Sequence, residues 1–180
     1  MEPRRNTPET STTSSILEKL KIQWVKDGKS KDYLYGTEET IAAPIAIVWK
    51  VACAVDEYKR ISRGVVIACA PKGVAENNPI SFEVKDMPKS DETICVVNND
   101  DFLLGWKRVL PMNSGTTERY QYLEKINEET TKSYIRLKIP AGMIGKMTDW
   151  MYKTKINAAF DALHKGIKEE AEVEHRAFKR

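Results

Sequence analysis

Histidine and cysteine are scarce in this sequence, and their scarcity excludes several kinds of site. The chain has 180 residues but only two histidines and three cysteines. The cysteines lie far apart among apolar neighbours and form no CxxC pair, so we expect free thiols in a reducing compartment. Because ligands at suitable spacing are lacking, the sequence predicts no metal site. It contains no glycine-rich phosphate loop, and we expect no cofactor.

The sequence also lacks a long apolar run at its start and a strong charge of one sign. Its first residues, MEPRRNTPETSTTSS, carry charges and hydroxyl groups but no apolar segment, which argues against a signal peptide or a membrane span there. We therefore expect a cytoplasmic protein. The net charge of +3 is too small to demand a nucleic-acid partner, and no nucleic acid is expected.

An amphipathic pattern precedes the first predicted strand. Ser15 and Glu18 have the spacing of a capping box, and apolar residues follow at helical intervals. The pattern predicts a short helix, with a short strand ending in an Asp-Gly turn as the alternative. We expect a disordered tail at 1–15 and a single domain at 16–180, in which 16–28 is an extra N-terminal segment.

The next residues predict one strand and a pair of short helices. Residues 33–42 have an extended pattern. Pro44 suits the first turn of a helix, because its missing N–H costs nothing there. Val48 and Trp49 then fall on one helical face, and a break at Asp56 precedes a second helical turn.

Six short apolar or alternating runs follow Gly64, and they predict an antiparallel meander. The runs are VVIACA, ISFEV, TICVV, FLLGWKRVL, TERYQYLEKI and SYIRLKI. From about Met143 the pattern changes to a helical one, and neither glycine nor proline occurs between Lys146 and Lys165. This last segment predicts one long helix.

The loops between the last three strands predict which side chains share a face. A three-residue hairpin loop at Asn113–Gly115 would place Arg108 opposite Tyr120. It would also place Trp106 opposite Tyr122, and a four-residue loop after the next strand would extend this alignment to the last strand. The inward face then collects Phe102, Leu104, Trp106, Leu110, Tyr120, Tyr122, Ile126, Ile135, Leu137 and Ile139. The outward face collects Lys107, Arg119, Gln121, Lys125, Arg136 and Lys138.

Several segments resemble the START-like, or SRPBCC, superfamily of polyketide cyclases, lipid-transfer domains and birch-pollen-allergen relatives. They are IAAPIAIVWKVACAVDEYKRI, LLGWKRVLP, TTERYQYLEKI and INAAFDALHKGIKEEAE. The resemblance implies an α+β helix-grip fold, in which a curved seven-stranded antiparallel sheet wraps around a long C-terminal helix and two short helices follow the first strand. It also implies a cavity between sheet and helix for an apolar ligand such as a lipid, sterol, quinone or polyketide. The superfamily shares no catalytic residues, so none is transferred.

The predicted inward face supplies most of the candidate ligand-binding residues. They are Phe82, Leu104, Trp106, Arg108, Glu118, Tyr120, Tyr122, Ile135, Leu137, Met147 and Met151. Arg108 and Glu118 lie on a diagonal of the predicted hairpin, within reach of an ion pair. Arg108 would otherwise hold a carboxylate or enolate of a ligand, with Tyr120 or Tyr122 donating a hydrogen bond.

Three functions remain open at this point. The first is non-catalytic binding or carrying of a hydrophobic or amphipathic small molecule, which we favour because no nucleophile–base arrangement is present and no catalytic residue is predicted. The second is a cyclase or dehydratase enzyme that uses Arg108, Glu118, Tyr120 and Tyr122. The third is an interaction protein whose cavity is closed by its own side chains.

The long helix carries two apolar stripes, although packing against a sheet needs only one. Tyr152, Ile156, Ala159, Leu163 and Ile167 form one stripe, and Met143, Met147, Trp150 and Ala158 form the other. The second stripe requires cover from the N-terminal segment, from a second copy or from a membrane. The basic outward face also leaves transient contact with an anionic membrane surface open. The oligomeric state is not predicted.

Overall fold

The computed structural model describes residues 32–179, which contain seven strands and three α-helices. The strands are β1 (Tyr33–Ile41), β2 (Val65–Cys69), β3 (Pro79–Val84), β4 (Ser90–Asn98), β5 (Leu103–Val109), β6 (Thr116–Asn127) and β7 (Thr130–Ile139). The helices are α1 (Ile45–Cys53), α2 (Tyr58–Ile61) and α3 (Met143–Phe178). The predicted tail at 1–15 and the predicted segment at 16–28 lie outside the described residues.

The strands of the described region form one curled antiparallel sheet in the order β1-β7-β6-β5-β4-β3-β2. Each strand pairs with its neighbour in the chain, except that β1 closes onto β7 at one edge. The long helix α3 follows the last strand and packs on the concave side. The predicted helix-grip fold is therefore confirmed.

The helical pair closes one end of the sheet, as the Pro44 pattern indicates. Pro44 is the N-cap of α1, and its carbonyl accepts the first helical hydrogen bonds. Val48 and Trp49 of α1 are buried. The Trp49 indole Nε1 donates to Asn99 Oδ1 at 3.0 Å, which ties α1 to the loop between β4 and β5.

One stripe of α3 is buried and the other is exposed. Ile156, Phe160, Leu163 and Ile167 enter the core, whereas the Met143–Trp150 stripe faces outward. The close approach of the helix to the rest of the core depends on Gly166, where an added Cβ would lie 2.0 Å from the carbonyl oxygen of Ile61. Across residues 32–179, no helix combines the length and the apolar character that crossing a membrane requires.

The predicted alignment of β5 with β6 is wrong. Trp106 lies opposite Arg119 rather than Tyr122, and Arg108 lies opposite Thr117 rather than Tyr120. The reason is Pro111, which has no N–H for the ladder and starts a 3₁₀ turn after Leu110. The strands end at the Val109–Thr116 pair, so the loop is longer than three residues and β6 turns its other face inward.

The predicted alignment of β6 with β7 is also wrong, by one residue. Tyr122 lies opposite Tyr134, and Gln121 rather than Tyr122 lies opposite Ile135. The connection is a two-residue turn between Asn127 and Thr130, preceded by an irregularity in the ladder after Lys125. The concave face therefore receives Arg119, Gln121 and Leu123 from β6, and the convex face receives Glu118, Tyr120, Tyr122 and Glu124.

A substitution at Gly166 tests the packing of α3. We expect Gly166→Ala to lower the free energy of unfolding by ~2 kcal/mol or more, because the new Cβ would overlap backbone that cannot rotate away. Gly64→Ala is the matched control, since a Cβ there has only ordinary contacts at 3.7 Å with Ala162. Chemical denaturation of both variants is the measurement, and equal stability of the two variants would contradict the packing.

Candidate ligand-binding site

A cavity of about 180 Å³ lies between the concave face of the sheet and the first half of α3. The β3–β4 loop, the residue after β5 and α3 all contribute to its lining, through Pro88, Leu110 and Thr148 respectively. The apolar lining includes Val65, Phe82, Val84, Met87, Leu110, Leu137, Ile139, Ile156, Phe160 and Leu163. The polar and titratable lining is Ser90, Glu92, Arg108, Thr117, Arg119, Thr148 and Tyr152.

Aromatic rings form one wall beside the cavity. Phe82 on β3 and Trp106 on β5 are stacked, with ring centroids 5.2 Å apart and planes inclined by 22°. Tyr58 of α2 packs against the same Phe82 ring at 6.5 Å. Phe82 itself lines the cavity, and the buried Trp106 and Tyr58 rings hold it in place from the core.

Arg119 is the charged residue that projects furthest into this aromatic environment. Its guanidinium carbon lies 5.2 Å from the centroid of Phe82, 5.7 Å from that of Trp106 and 5.5 Å from that of Phe160. Its Nη2 is 3.5 Å from Glu92 Oε1, a long contact for an ion pair. Among the described residues, the buried Nε of Arg119 has no hydrogen-bond acceptor.

A row of polar side chains connects Arg119 to the rim of the cavity. Ser90 Oγ donates to Glu92 Oε1 at 2.7 Å, and Arg108 Nη1 approaches the same Ser90 hydroxyl at 3.4 Å. Arg108 lies nearer to the rim, where it also interacts with the exposed Asp91. Of the described residues that line the cavity, two are cations and one is a carboxylate, so the lining carries a net positive charge.

The predicted site residues separate into three groups. Phe82, Arg108 and Leu137 line the cavity, and Leu104, Trp106 and Ile135 lie buried on the same concave face. Glu118, Tyr120 and Tyr122 lie on the convex face. Met147 and Met151 point outward from α3, whereas their neighbours Thr148 and Tyr152 line the cavity.

The residues that were predicted for the cavity but lie on the convex face have contacts there. Tyr122 stacks on Tyr134 with ring centroids 4.6 Å apart, and the Tyr134 hydroxyl donates to Glu124 at 2.9 Å. Glu118 lies opposite Lys107 and contacts Lys138 at 3.9 Å. The prediction of a purely basic outward face is therefore wrong, because carboxylates alternate with the lysines and Arg119 points inward.

Sequence reasoning missed Arg119, Glu92 and Ser90 as site residues, although one signal was available. Gly105 lies in the middle of β5, and a Cβ there would meet the Tyr120 ring at 2.6 Å. An aromatic ring commonly covers a glycine in a neighbouring strand. Pairing Gly105 with Tyr120 would have turned Tyr120 to the convex side and Arg119 inward, as observed.

The core beside the cavity contains further buried polar groups. The Tyr58 hydroxyl donates to Gln121 Oε1 at 3.0 Å, and Ser133 Oγ lies 3.0 Å from His164 Nε2. His164 is buried on α3, and this burial lowers its pKa to about 4. Within residues 32–179, no three His, Cys, Asp or Glu side chains are grouped so that they could hold a metal ion.

Comparison with known proteins shows likeness in structure but not in sequence. No family model and no curated protein matches the sequence. Among solved structures, the Zhui aromatase/cyclase from Streptomyces sp. R1128 matches with a TM-score of 0.61 at 11% identity, covering 83% of this chain and 96% of its own. A START superfamily protein from Mycobacterium smegmatis matches with a TM-score of 0.55 at 10% identity, covering 76% of this chain and 97% of its own.

A third solved structure covers the same share of this chain as the START superfamily protein does. Ara h 8.0201 has a TM-score of 0.54 at 13% identity, with coverage of 76% of this chain and 97% of its own. All three proteins align over nearly their whole length with most of the present chain. At these identities the likeness is one of fold, and it agrees with the helix-grip fold described above.

Burial of His164 makes stability depend on pH. The histidine is held neutral in the folded state, while the unfolded state binds a proton below its ordinary pKa of 6.5. Stability is therefore highest above pH 6.5 and falls as the pH drops towards 4. We expect a loss of ~2 kcal/mol between about pH 7.5 and about pH 5.

His164→Gln isolates this contribution, because glutamine retains a polar group near Ser133 but does not titrate. Denaturant unfolding at the two pH values is the measurement. The variant is expected to lose much less stability than the original chain over this interval. An unchanged loss in the variant would show that other groups cause the pH dependence.

Proposed function

We propose that this protein binds a small amphipathic molecule, with an apolar body and an anionic end, in the cavity between the sheet and α3. The body lies against the Phe82 ring, which Trp106 supports from behind, and against the apolar side chains of α3. The anionic end meets Arg119, with Arg108 nearer to the rim. Binding involves no covalent step, and the protein acts as a carrier or a receptor for this molecule.

The observation that carries the proposal is the incomplete pairing of Arg119. A guanidinium that is largely removed from water needs acceptors for its N–H groups, and leaving a buried donor without one is costly. Glu92 approaches only one nitrogen at 3.5 Å, and it also accepts a hydrogen bond from Ser90. A ligand carboxylate would supply the missing acceptor for Nε and offset the net positive charge of the lining.

The cavity volume supports a compact ligand. A volume of about 180 Å³ is smaller than the typical pocket for a drug-sized molecule. It fits roughly one or two aromatic rings, since an engineered cavity of about 150 Å³ in another protein holds benzene. We therefore favour a small aromatic or short-chain acid over a complete sterol or a two-chain lipid.

The other two functional hypotheses have less support. The cyclase or dehydratase alternative relied on Glu118, Tyr120 and Tyr122, all of which lie on the convex face away from the cavity. The closed-interior alternative requires a concave face filled by its own side chains, whereas a cavity with an opening lies there. Non-catalytic binding therefore agrees with more of the observed geometry than either of the other two hypotheses does.

The proposal predicts that the acid group of a ligand determines its affinity. The probes are 2-naphthoate and its neutral amide, 2-naphthamide, which share one apolar body. In a Glu92→Gln background, Arg119→Met is expected to weaken 2-naphthoate binding by ~10-fold or more, because a charge-assisted hydrogen bond is lost. Binding of 2-naphthamide is expected to change much less. Calorimetric titration gives both affinities.

The background substitution serves two purposes. Removing Arg119 alone would leave Glu92 buried without its cation, so Glu92→Gln keeps the charge balanced and the fold intact. Glu92→Gln by itself is expected to tighten 2-naphthoate binding, since a like charge is removed. Lys107→Met is the matched control, because Lys107 precedes Arg108 on β5 but lies on the convex face. Equal losses for acid and amide, or no saturable binding of 2-naphthoate at millimolar concentration, would contradict the proposal.

A further inference from the structure

The first half of α3 presents an exposed apolar face to solvent. Met143, Met147 and Trp150 follow one another at intervals of four and three residues, so they share one side of the helix. Their exposed fractions are 79%, 53% and 84%, with the half-exposed Met151 at the edge. We call Met143, Met147 and Trp150 the outer face of α3. A largely exposed indole beside two exposed methionines on one surface is unusual for a protein that has no partner there.

Lysines flank the outer face on both sides. Lys146 and Lys153 lie along one edge, and Lys155 lies along the other, where its Nζ donates to the carbonyl of Asp86. The acidic residue in this stretch of helix is Asp149, and its carboxylate accepts a hydrogen bond from the Tyr35 hydroxyl at 2.7 Å. Along this stretch of the helix, lysines therefore outnumber carboxylates by three to one.

The outer face lies on the same turns of α3 that line the cavity from their other side. Thr148 and Tyr152 project from the same turns of α3 on the opposite side and line the cavity. The β5–β6 loop borders the same end, because a Cβ at Gly115 would contact Pro140, just before α3, at 2.7 Å. That loop carries Met112, which is also exposed. Exposed methionines thus occur both on α3 and on the loop that lies beside its start.

We propose that the outer face of α3 docks on an anionic lipid membrane and brings the cavity opening to the bilayer surface. Tryptophan and methionine suit the boundary between headgroups and acyl chains, and flanking lysines are attracted to anionic headgroups. Charge distinguishes this occupant from a second copy of the chain. A two-fold interface would oppose the same lysine-flanked surfaces, whereas a membrane supplies the opposite charge. The inference does not depend on which molecule the cavity binds.

Vesicle sedimentation of the full chain tests the proposal. The probes are phosphatidylcholine vesicles containing about one-third phosphatidylserine, and vesicles of phosphatidylcholine alone. We expect binding to the first kind, much weaker binding to the second, and release as salt is raised from about 0.05 M to about 0.5 M. Emission from Trp150, isolated by difference with Trp150→Phe, is expected to shift to shorter wavelength when the protein binds.

Three double variants identify the surface. Met147→Ser with Trp150→Ser, and Lys146→Glu with Lys153→Glu, are each expected to reduce vesicle binding by ~10-fold or more. The matched control is Val173→Ser with Phe178→Ser, which removes exposed apolar residues from the other end of the same helix and is expected to leave binding unchanged. Circular dichroism and denaturant unfolding verify that each variant keeps its fold and stability.

Two results would overturn the proposal. One is a failure of the vesicle test: the full chain does not bind anionic vesicles at low salt, or the Met147/Trp150 and Lys146/Lys153 variants bind them as well as the original chain does. The other is concentration-dependent self-association, measured by sedimentation equilibrium, that the outer-face variants abolish. That result would identify a second copy of the chain as the occupant of this surface.

Discussion

The guanidinium of Arg119 is the group on which the organisation of the concave side depends. It lies within 6 Å of rings on β3, β5 and α3, and so it connects the sheet to the helix at the point where the cavity begins. A cation in such surroundings must be paired, and Glu92 together with Ser90 supplies a partial pairing. The space between helix and sheet is therefore a polar-ended cavity rather than a continuous apolar core.

Apolar and polar side chains have different roles in the interior. Apolar packing holds α3 in place through Phe160, Leu163 and Ile167, while Gly166 allows the helix to approach the α2 backbone. Some buried polar atoms have a partner, as Gln121 Oε1 has in the Tyr58 hydroxyl, whereas Gln121 Nε2 and the Trp106 indole nitrogen have none among the described residues. The site thus combines a rigid aromatic wall with one unsatisfied charged donor. This combination favours an amphipathic ligand over a purely apolar one.

Much of the fold could be predicted from the sequence, because its elements are set by local patterns. Pro44 fixes the start of α1, the six apolar runs become β2 to β7, and the absence of breakers over most of the last segment gives α3. The face of β6 could not be predicted in the same way. Its two sides carry similar mixtures of polar and apolar residues, so the choice depended on loop length and on the pairing of Gly105 with Tyr120.

Loop length in turn depends on backbone conformations that composition does not reveal. Met112 adopts a φ of 56° in the β5–β6 loop. The pairing of β5 with β6 ends at Val109 and Thr116, earlier than it would end in a hairpin with its turn at Gly115. The tyrosines of β6 looked like cavity residues because they are large and partly apolar. On the convex face, however, Tyr122 stacks on Tyr134 of β7, and the Tyr120 ring covers Gly105 of β5.

The most direct test of the account is whether a ligand acid reaches the Nε–H of Arg119. Two-dimensional ¹H–¹⁵N NMR during titration with 2-naphthoate would follow this group together with the indole N–H signals of the tryptophans. The account predicts a saturable shift of the Arg119 Nε–H and Trp106 signals, with the Trp49 signal unchanged because its indole already donates to Asn99. Shifts confined to Trp150, or no saturable shift at Arg119, would contradict it.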